Sequence, residues 1–340
     1  MSVLRPVIVR MANVGRRTAR AFRETLLCLR DVAGRPLPGM NRPGQAVVLM
    51  YHGVVRSMPS LLNWRHVSES DFDCHLRLLR RHCNVVPLAA IFSGDIRPDA
   101  LNVAITFDDG FRNNFEVAIP LLQRHGLPAS LFVTGANEAG MTILWPDFLD
   151  IAARFAQGEV LIDGRPFVKR GNRYICADTE TPLATVIRQE RPEWQFKQAV
   201  YAAFSRWVPN LHRPDFRAYW ELMSDPQIRA AASVPGITIG SHGYYHNNLG
   251  SLPIDCAVAE LRASKTYLES LLDREVAELA FPDGSYTPAV VQNADDLGFT
   301  RQLAVDHRYG ESVIARNPLR RFGVYSMAPC RSQLADALAN

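Results

Sequence analysis

Two carboxylates, Asp108 and Asp109, stand side by side in "AITFDDGFRNN" (104–114), directly after an apolar run. Adjacent carboxylates repel each other unless a cation or bulk water compensates them. The pair therefore marks either a solvated turn or a site for positive charge. Two imidazoles, His242 and His246, follow another apolar run, "ITIG", at a spacing of i, i+4. That spacing can place both rings on one side of a helical turn, and a carboxylate would complete two nitrogen donors and one oxygen donor. Such a set suits catalytic Zn²⁺, where three protein ligands leave a position for water; non-haem iron uses the same donors. One carboxylate of the pair can bind the cation while the other takes a proton from the bound water, whose pKa the metal lowers. Together the four residues point to metal-assisted hydrolysis.

Residues so far apart in sequence meet only if the fold brings strand ends together. The chain from residue 46 alternates strand and helix patterns: "AVVLMYHGV" (46–54), a helix over 68–82 with Ser68 or Ser70 as N-cap, "LNVAITF" (101–107), a helix over 113–126 closing on Gly126, and "PASLFVTG" (128–135). The rhythm resumes with "ITIGSHG" (237–243), a helix near 253–272, "ELAFPDGSY" (278–286), a helix near 288–297 and "RQLAVD" (301–306). Strand–helix–strand units imply parallel pairing, and parallel sheets and barrels gather functional groups at the carboxyl ends of their strands. Asp108 and Asp109, His242 and His246, and the "FPDG" of 281–284 all follow strands, so one face is expected to collect them. Between about 146 and 233 the pattern turns mainly helical, with a short β excursion at 159–175, and reads as an insertion into a domain spanning 46–340. Residues 1–45 are set apart as a basic amphipathic helix and a Pro/Gly linker, "GRPLPGMNRPGQ".

Hydrophobic residues at 47% and charged residues at 21% describe a globular chain with a sizeable core. The net charge of +4 calls for no nucleic-acid partner, and no nucleic-acid module is present in the sequence. Six scattered cysteines without a C-x-x-C pair form no disulfide framework and read as buried free thiols. "MSVLRPVIVRM" is interrupted by Arg5, Pro6 and Arg10, unlike a secretory signal, and no run of about 18 apolar residues spans a membrane. The expected compartment is the cytoplasm, and residues 1–30 read either as a helix packed on the domain with a solvated Arg face or as a peripheral contact to an anionic inner membrane face.

"TFDDG" (106–110), "SHGYYHNNL" (241–249) and "AFPDG" (280–284), in that order, resemble the polysaccharide deacetylases, the NodB-homology group or carbohydrate esterase family four. "YHGV" (51–54), Pro-Leu-Leu (120–122) and "PASLFV" (128–133) extend the likeness over about 46–145 and 234–305. The resemblance implies a distorted (β/α) barrel, usually of seven strands, that removes N-acetyl and sometimes O-acyl groups from sugars. It implies Asp108 as catalytic base, Asp109, His242 and His246 as ligands of one divalent metal, Zn²⁺ first, and the backbone N–H of Asp283 in a groove wall with Phe281, Pro282 and Gly284. Three features depart from the pattern. The usual Arg four residues before the third motif's Gly is Ala280, leaving Arg320 or Arg321 of a later loop to supply the charge. No late Leu-x-His segment supplies the general acid, so His307 and His52 are the candidates for acid or substrate contact. The insertion, finally, lengthens the spacing between Asp109 and His242 and is placed to roof the sugar groove, with Trp194, Trp207 and Trp220 expected mostly in its core.

The leading expectation is a metal-dependent deacetylase of an N-acetylated saccharide or glycan precursor, lipid- or nucleotide-linked. A carbohydrate-binding or assembly protein of the same fold that has lost turnover is the rival. A phosphohydrolase is third, since no Gly-rich or Lys-bearing phosphate cradle accompanies the Asp pair.

Overall fold

All but the last of the barrel strand sequences are apolar almost without alternation, as befits parallel strands covered on both faces. In a computed structural model, which describes residues 4–58, 63–305, 318–326 and 328–339, seven strands close a ring. They are β1 (Ala46–Tyr51), β2 (Asn102–Phe107), β3 (Ala129–Val133), β4 (Ile237–Ser241), β5 (Glu278–Ala280), β6 (Arg301–Val305) and β7 (Leu319–Gly323). Each strand pairs in parallel with the next, and β1 pairs with both β2 and β7, which shuts the barrel. Contact is uneven: β1 and β2 stay in register from Ala46–Asn102 to Tyr51–Phe107, whereas β4 and β5 share only Ser241–Leu279. The fold is a distorted (β/α)7 barrel.

The N-terminal helix, α1 (Leu4–Val32), precedes the barrel, and α2 (Glu69–His82) follows β1. Ser68 caps α2, its hydroxyl accepting from the Asp71 N–H at 3.1 Å, and Phe72, Leu76 and Leu79 are buried against the strands. After β2, a wide turn at Asn114–Ala118 runs into α3 (Ile119–His125), which ends at Gly126 in the left-handed conformation. The barrel interior is thin. Val48, Ala104, Phe132, Ala280 and Leu303 form a small inner cluster, while the main apolar mass lies between strands and helices.

Between β3 and β4 the chain builds a second core of its own around Trp145, Phe148, Phe167, Phe204 and Trp220. This segment contains α4 (Trp145–Phe155), a three-stranded antiparallel sheet (Val160–Ile162, Arg165–Arg170, Arg173–Cys176), and α5 (Trp194–Ala203). Trp145 and Trp220 are buried, and Trp194 lies flat on Tyr245 with ring centroids 5.0 Å apart. The helix α6 (Asp225–Ala232) leads back to β4, α7 (Ile254–Leu272) and α8 (Pro288–Asp296) follow β4 and β5, and α9 (Cys330–Ala339) packs on α2 and α1. All six cysteines are free, but only Cys74 and Cys176 are buried and Cys256 is exposed. Among the described residues no helix is long and apolar enough to cross a membrane.

Candidate active site

The carboxyl ends of the strands open into a cleft of about 620 Å³ whose lining includes Asp108, Asp109, His242 and His246. Asp109 follows β2 at φ 74°, a left-handed conformation that non-glycine residues adopt at a cost. Gly110 continues it at φ +74°, where a Cβ would lie 3.0 Å from Val133 Cγ1; glycine here spares β3 rather than solvent. The next residues are tied to the end of the insertion, Arg112 donating to the Glu221 carbonyl at 2.7 Å and Met223 to that of Gly110 at 2.9 Å.

His242 and His246 do not share a helical turn. They lie in the loop after β4, and His246 has φ 53°, so the reversal of the chain brings the rings 5.1 Å apart. His242 Nδ1 lies 2.8 Å from the Ala280 carbonyl, which fixes the proton there and leaves Nε2 with its lone pair toward the cleft. His242 Nε2 and His246 Nε2 lie 3.5 and 3.3 Å from the same oxygen, Asp109 Oδ1. One ligand atom from each of the three residues falls within 4.8 Å of the others, all buried. Two imidazole nitrogens and a carboxylate oxygen converging in this way fit a divalent metal with a position left open. Burial pushes the His242 imidazole down, toward the neutral form that a metal requires. Burial would raise Asp109, but the imidazoles of His246 and His52 and the charge of Arg65 hold it well below the ordinary carboxylate range.

Asp108 has a separate partner. Arg321, wholly buried, donates from Nη1 to Oδ1 at 2.5 Å and from Nη2 to Oδ2 at 2.7 Å. It is not a loop residue: it sits on β7 and projects across the barrel, where its guanidinium stacks over Phe132 at 5.5 Å. The interior cluster that includes Phe132 carries alanine at both 104 and 280. Burial opposes the charge of Asp108, and Arg321 outweighs it, keeping the carboxylate ionised. Arg320, the neighbouring candidate, is exposed, with its guanidinium over Phe322 instead.

The third motif forms one wall. Phe281 is buried, Asp283 turns at φ 52°, and Gly284 follows at φ +66°, where a Cβ would strike Val305 Cγ2 at 2.3 Å. The Asp283 carboxylate accepts from Arg188 Nε at 2.7 Å, and Arg188 covers the Trp145 ring at 4.9 Å, so the insertion does reach the groove. His52 lines the cleft with Nδ1 unpaired, and burial pushes it down to about 4. His307 lies outside the described residues.

Several residues at the site carry no motif. Arg65 reaches between Asp109, 3.0 Å from Oδ2, and Asp147 of α4, a fully buried carboxylate that burial pushes up to about 7. Lys197 of α5 and Trp145 both donate to the His246 carbonyl, at 3.0 and 3.2 Å. Glu260 of α7 accepts from the N–H groups of Tyr244 and Tyr245 at 3.2 and 3.0 Å and from the Asn247 side chain at 2.6 Å. The aromatic side chains on the cleft are Trp64, Tyr219, Phe322 and Tyr325, and Trp64 packs on Tyr325 with centroids 4.8 Å apart. Trp194, Trp207 and Trp220 are not among the lining residues, in keeping with their expected place in the insertion. The one signal for Trp64 and Arg65 was their place shortly after β1, in "NWRHV".

The polysaccharide deacetylase family model matches residues 96–160 and 198–301, a span that contains the Asp pair, both histidines and the third motif. Bacillus subtilis YxkH, assigned by name to the polysaccharide deacetylases, is 31% identical over 101 residues, 28% of this chain. The match spans only about a third of that relative, 34% of its length. Among solved structures, the Streptococcus pyogenes deacetylase PplD, in complex with acetate, superposes with TM-score 0.53 at 17% identity, covering 87% of this chain and 99% of its own. IcaB from Ammonifex degensii does so with TM-score 0.51 at 16% identity, covering 90% of this chain and 100% of its own. These likenesses carry the fold. With the family match laid over the aspartates and histidines just described, the chain belongs to the polysaccharide deacetylase family.

Proposed function

We propose that the chain hydrolyses an N-acetyl or related acyl group on a saccharide or glycan precursor, using a metal held by Asp109, His242 and His246. The carrying observation is the division of the Asp pair: Asp109 Oδ1 faces both imidazoles, while Asp108 is gripped by Arg321 beside them. Bound there, a divalent ion, Zn²⁺ by its donor set, would supply Lewis acidity and lower the pKa of a water at the open position. Asp108 Oδ2, which lies 3.8 Å from His242 Nε2, is the atom that would take a proton from the attacking water. Arg321 keeps the carboxylate aimed and ionised until it does. The main-chain N–H of Asp283 is assigned to the developing oxyanion, for which its left-handed turn is the local device. His52, neutral near pH 7, serves as a substrate contact rather than a strong acid. The cleft volume suits one or a few sugar rings, with Trp64 and Tyr325 as an apolar platform. A lipid- or nucleotide-linked glycan precursor is the substrate class, and the cytoplasm the compartment.

The test is acetate release from N-acetylglucosamine oligomers and nucleotide sugars, run beside metal analysis. Asp108→Asn should keep the metal and slow turnover by about 10²- to 10⁴-fold. Asp109→Ala should lose metal and activity together. Wild-type protein that retains metal yet releases no acyl group would favour the carbohydrate-binding alternative.

A further inference from the structure

Helix α1 is docked with its faces reversed. A helix on a globular body normally turns its apolar stripe inward. Here Phe22, Leu26, Leu29 and Val32 are exposed by 67%, 47%, 61% and 79%. They fall at i, i+4, i+7 and i+10, a single strip of helix surface. The side that meets the body is charged instead. Arg23 pairs with Asp336 at 2.7 Å, and Asp31 with Arg331 at 2.8 Å. Glu24 accepts from the backbone N–H and the hydroxyl of Ser332 at 3.0 and 2.9 Å. Leu27 is buried among these contacts.

The charge around the strip is one-sided. Residues 1–35 contain eight arginines and two acids, a net of +6 in a chain of net +4, so the remaining residues carry −2. Both acids, Glu24 and Asp31, are engaged by α9 on the body side. The body alone would be weakly repelled by an anionic surface, and the helix strongly attracted. An exposed apolar strip within a segment of net charge +6 is the composition that lies in an anionic membrane interface. We propose that α1 docks the protein on an anionic bilayer, Phe22, Leu26, Leu29 and Val32 entering the acyl boundary and the net positive charge of residues 1–35 drawing the segment to lipid phosphates. This interface is independent of the reading of the cleft. Asp336, the partner of Arg23, also lines the cleft, so the docking helix is anchored at its rim.

Co-sedimentation of the full chain with vesicles tests it directly. Wild type should pellet with phosphatidylglycerol–phosphatidylcholine vesicles, and bind phosphatidylcholine alone about tenfold or more weakly. The variant Phe22→Ser/Leu26→Ser/Leu29→Ser should lose about tenfold or more of the binding to mixed vesicles. Its melting temperature and its turnover of a soluble sugar should stay at wild-type values, since the strip touches neither core nor cleft. Failure of wild type to pellet, equal binding to both vesicles, or a triple variant that binds like wild type would each overturn the proposal. So would light scattering that shows a wild-type dimer, split by the triple variant, without vesicle binding; the strip would then join two copies of the chain.

Discussion

Asp108 and Arg321 form a buried, bidentate ion pair, and its worth is conditional. Removing one member of such a pair strands the other charge, whereas removing both need cost little. Arg321→Met should therefore destabilise the fold by about 3–5 kcal/mol. The double change with Asp108→Asn should recover part of that, giving a coupling of about 1–3 kcal/mol in a denaturation cycle. An Arg321→Met protein as stable as wild type would show that another group compensates Asp108. The same pair explains what the sequence hides. The Asp and His residues could be found because their types are unusual after apolar strands. Arg321 could not be separated from Arg320, because "LRRFG" looks like exposed loop to any hydropathy pattern. Its charge is neutralised by a residue more than two hundred positions earlier, and a local window cannot register that. Arg65 was hidden for the same reason, its partners Asp109 and Asp147 lying on two other elements.

At the scale of elements, the loop after β4 is braced from two sides. Glu260 of α7 collects its amides, while Lys197 and Trp145 of the insertion hold the His246 carbonyl. Outer contacts of this kind orient a ligand and tune its affinity. Lys197→Met should accordingly weaken metal binding by about 10- to 100-fold, read by competition with a chromogenic chelator on protein whose circular dichroism is unchanged. Unaltered affinity would assign Lys197 to packing alone. The mainly helical pattern of the insertion covers α5, but a lysine on a helix reads as solvated, and only the tertiary fold turns Lys197 inward. The i, i+4 spacing of the histidines had the right consequence by a different route. A left-handed residue in a loop, rather than a helical turn, makes the rings converge.

At the scale of the molecule, six of the seven barrel strands were legible as apolar runs, and the seventh was not. β7 carries two arginines in five residues and is legible only as the partner of β1 and β6. Without it the ring stands open beside β1 and the interior loses Arg321. A chain ending after Val305 should show no cooperative thermal transition, where the whole chain melts in one; a cooperative melt of the shortened chain would mean that six strands suffice. The described insertion, by contrast, has a core of its own, and it braces the site through Trp145, Arg188 and Lys197.

The closing register, Leu49 against Phe322, joins positions separated by most of the chain. Pairings that distant form late, because loop-closure entropy is spent before any contact repays it. During synthesis β1 must wait for β7 with an open flank, and Asp108 waits beside Asp109 with no counter-ion. Until the barrel shuts, therefore, the unpaired strand flank and the carboxylate without its counter-ion are exposed together, and one closing step removes both.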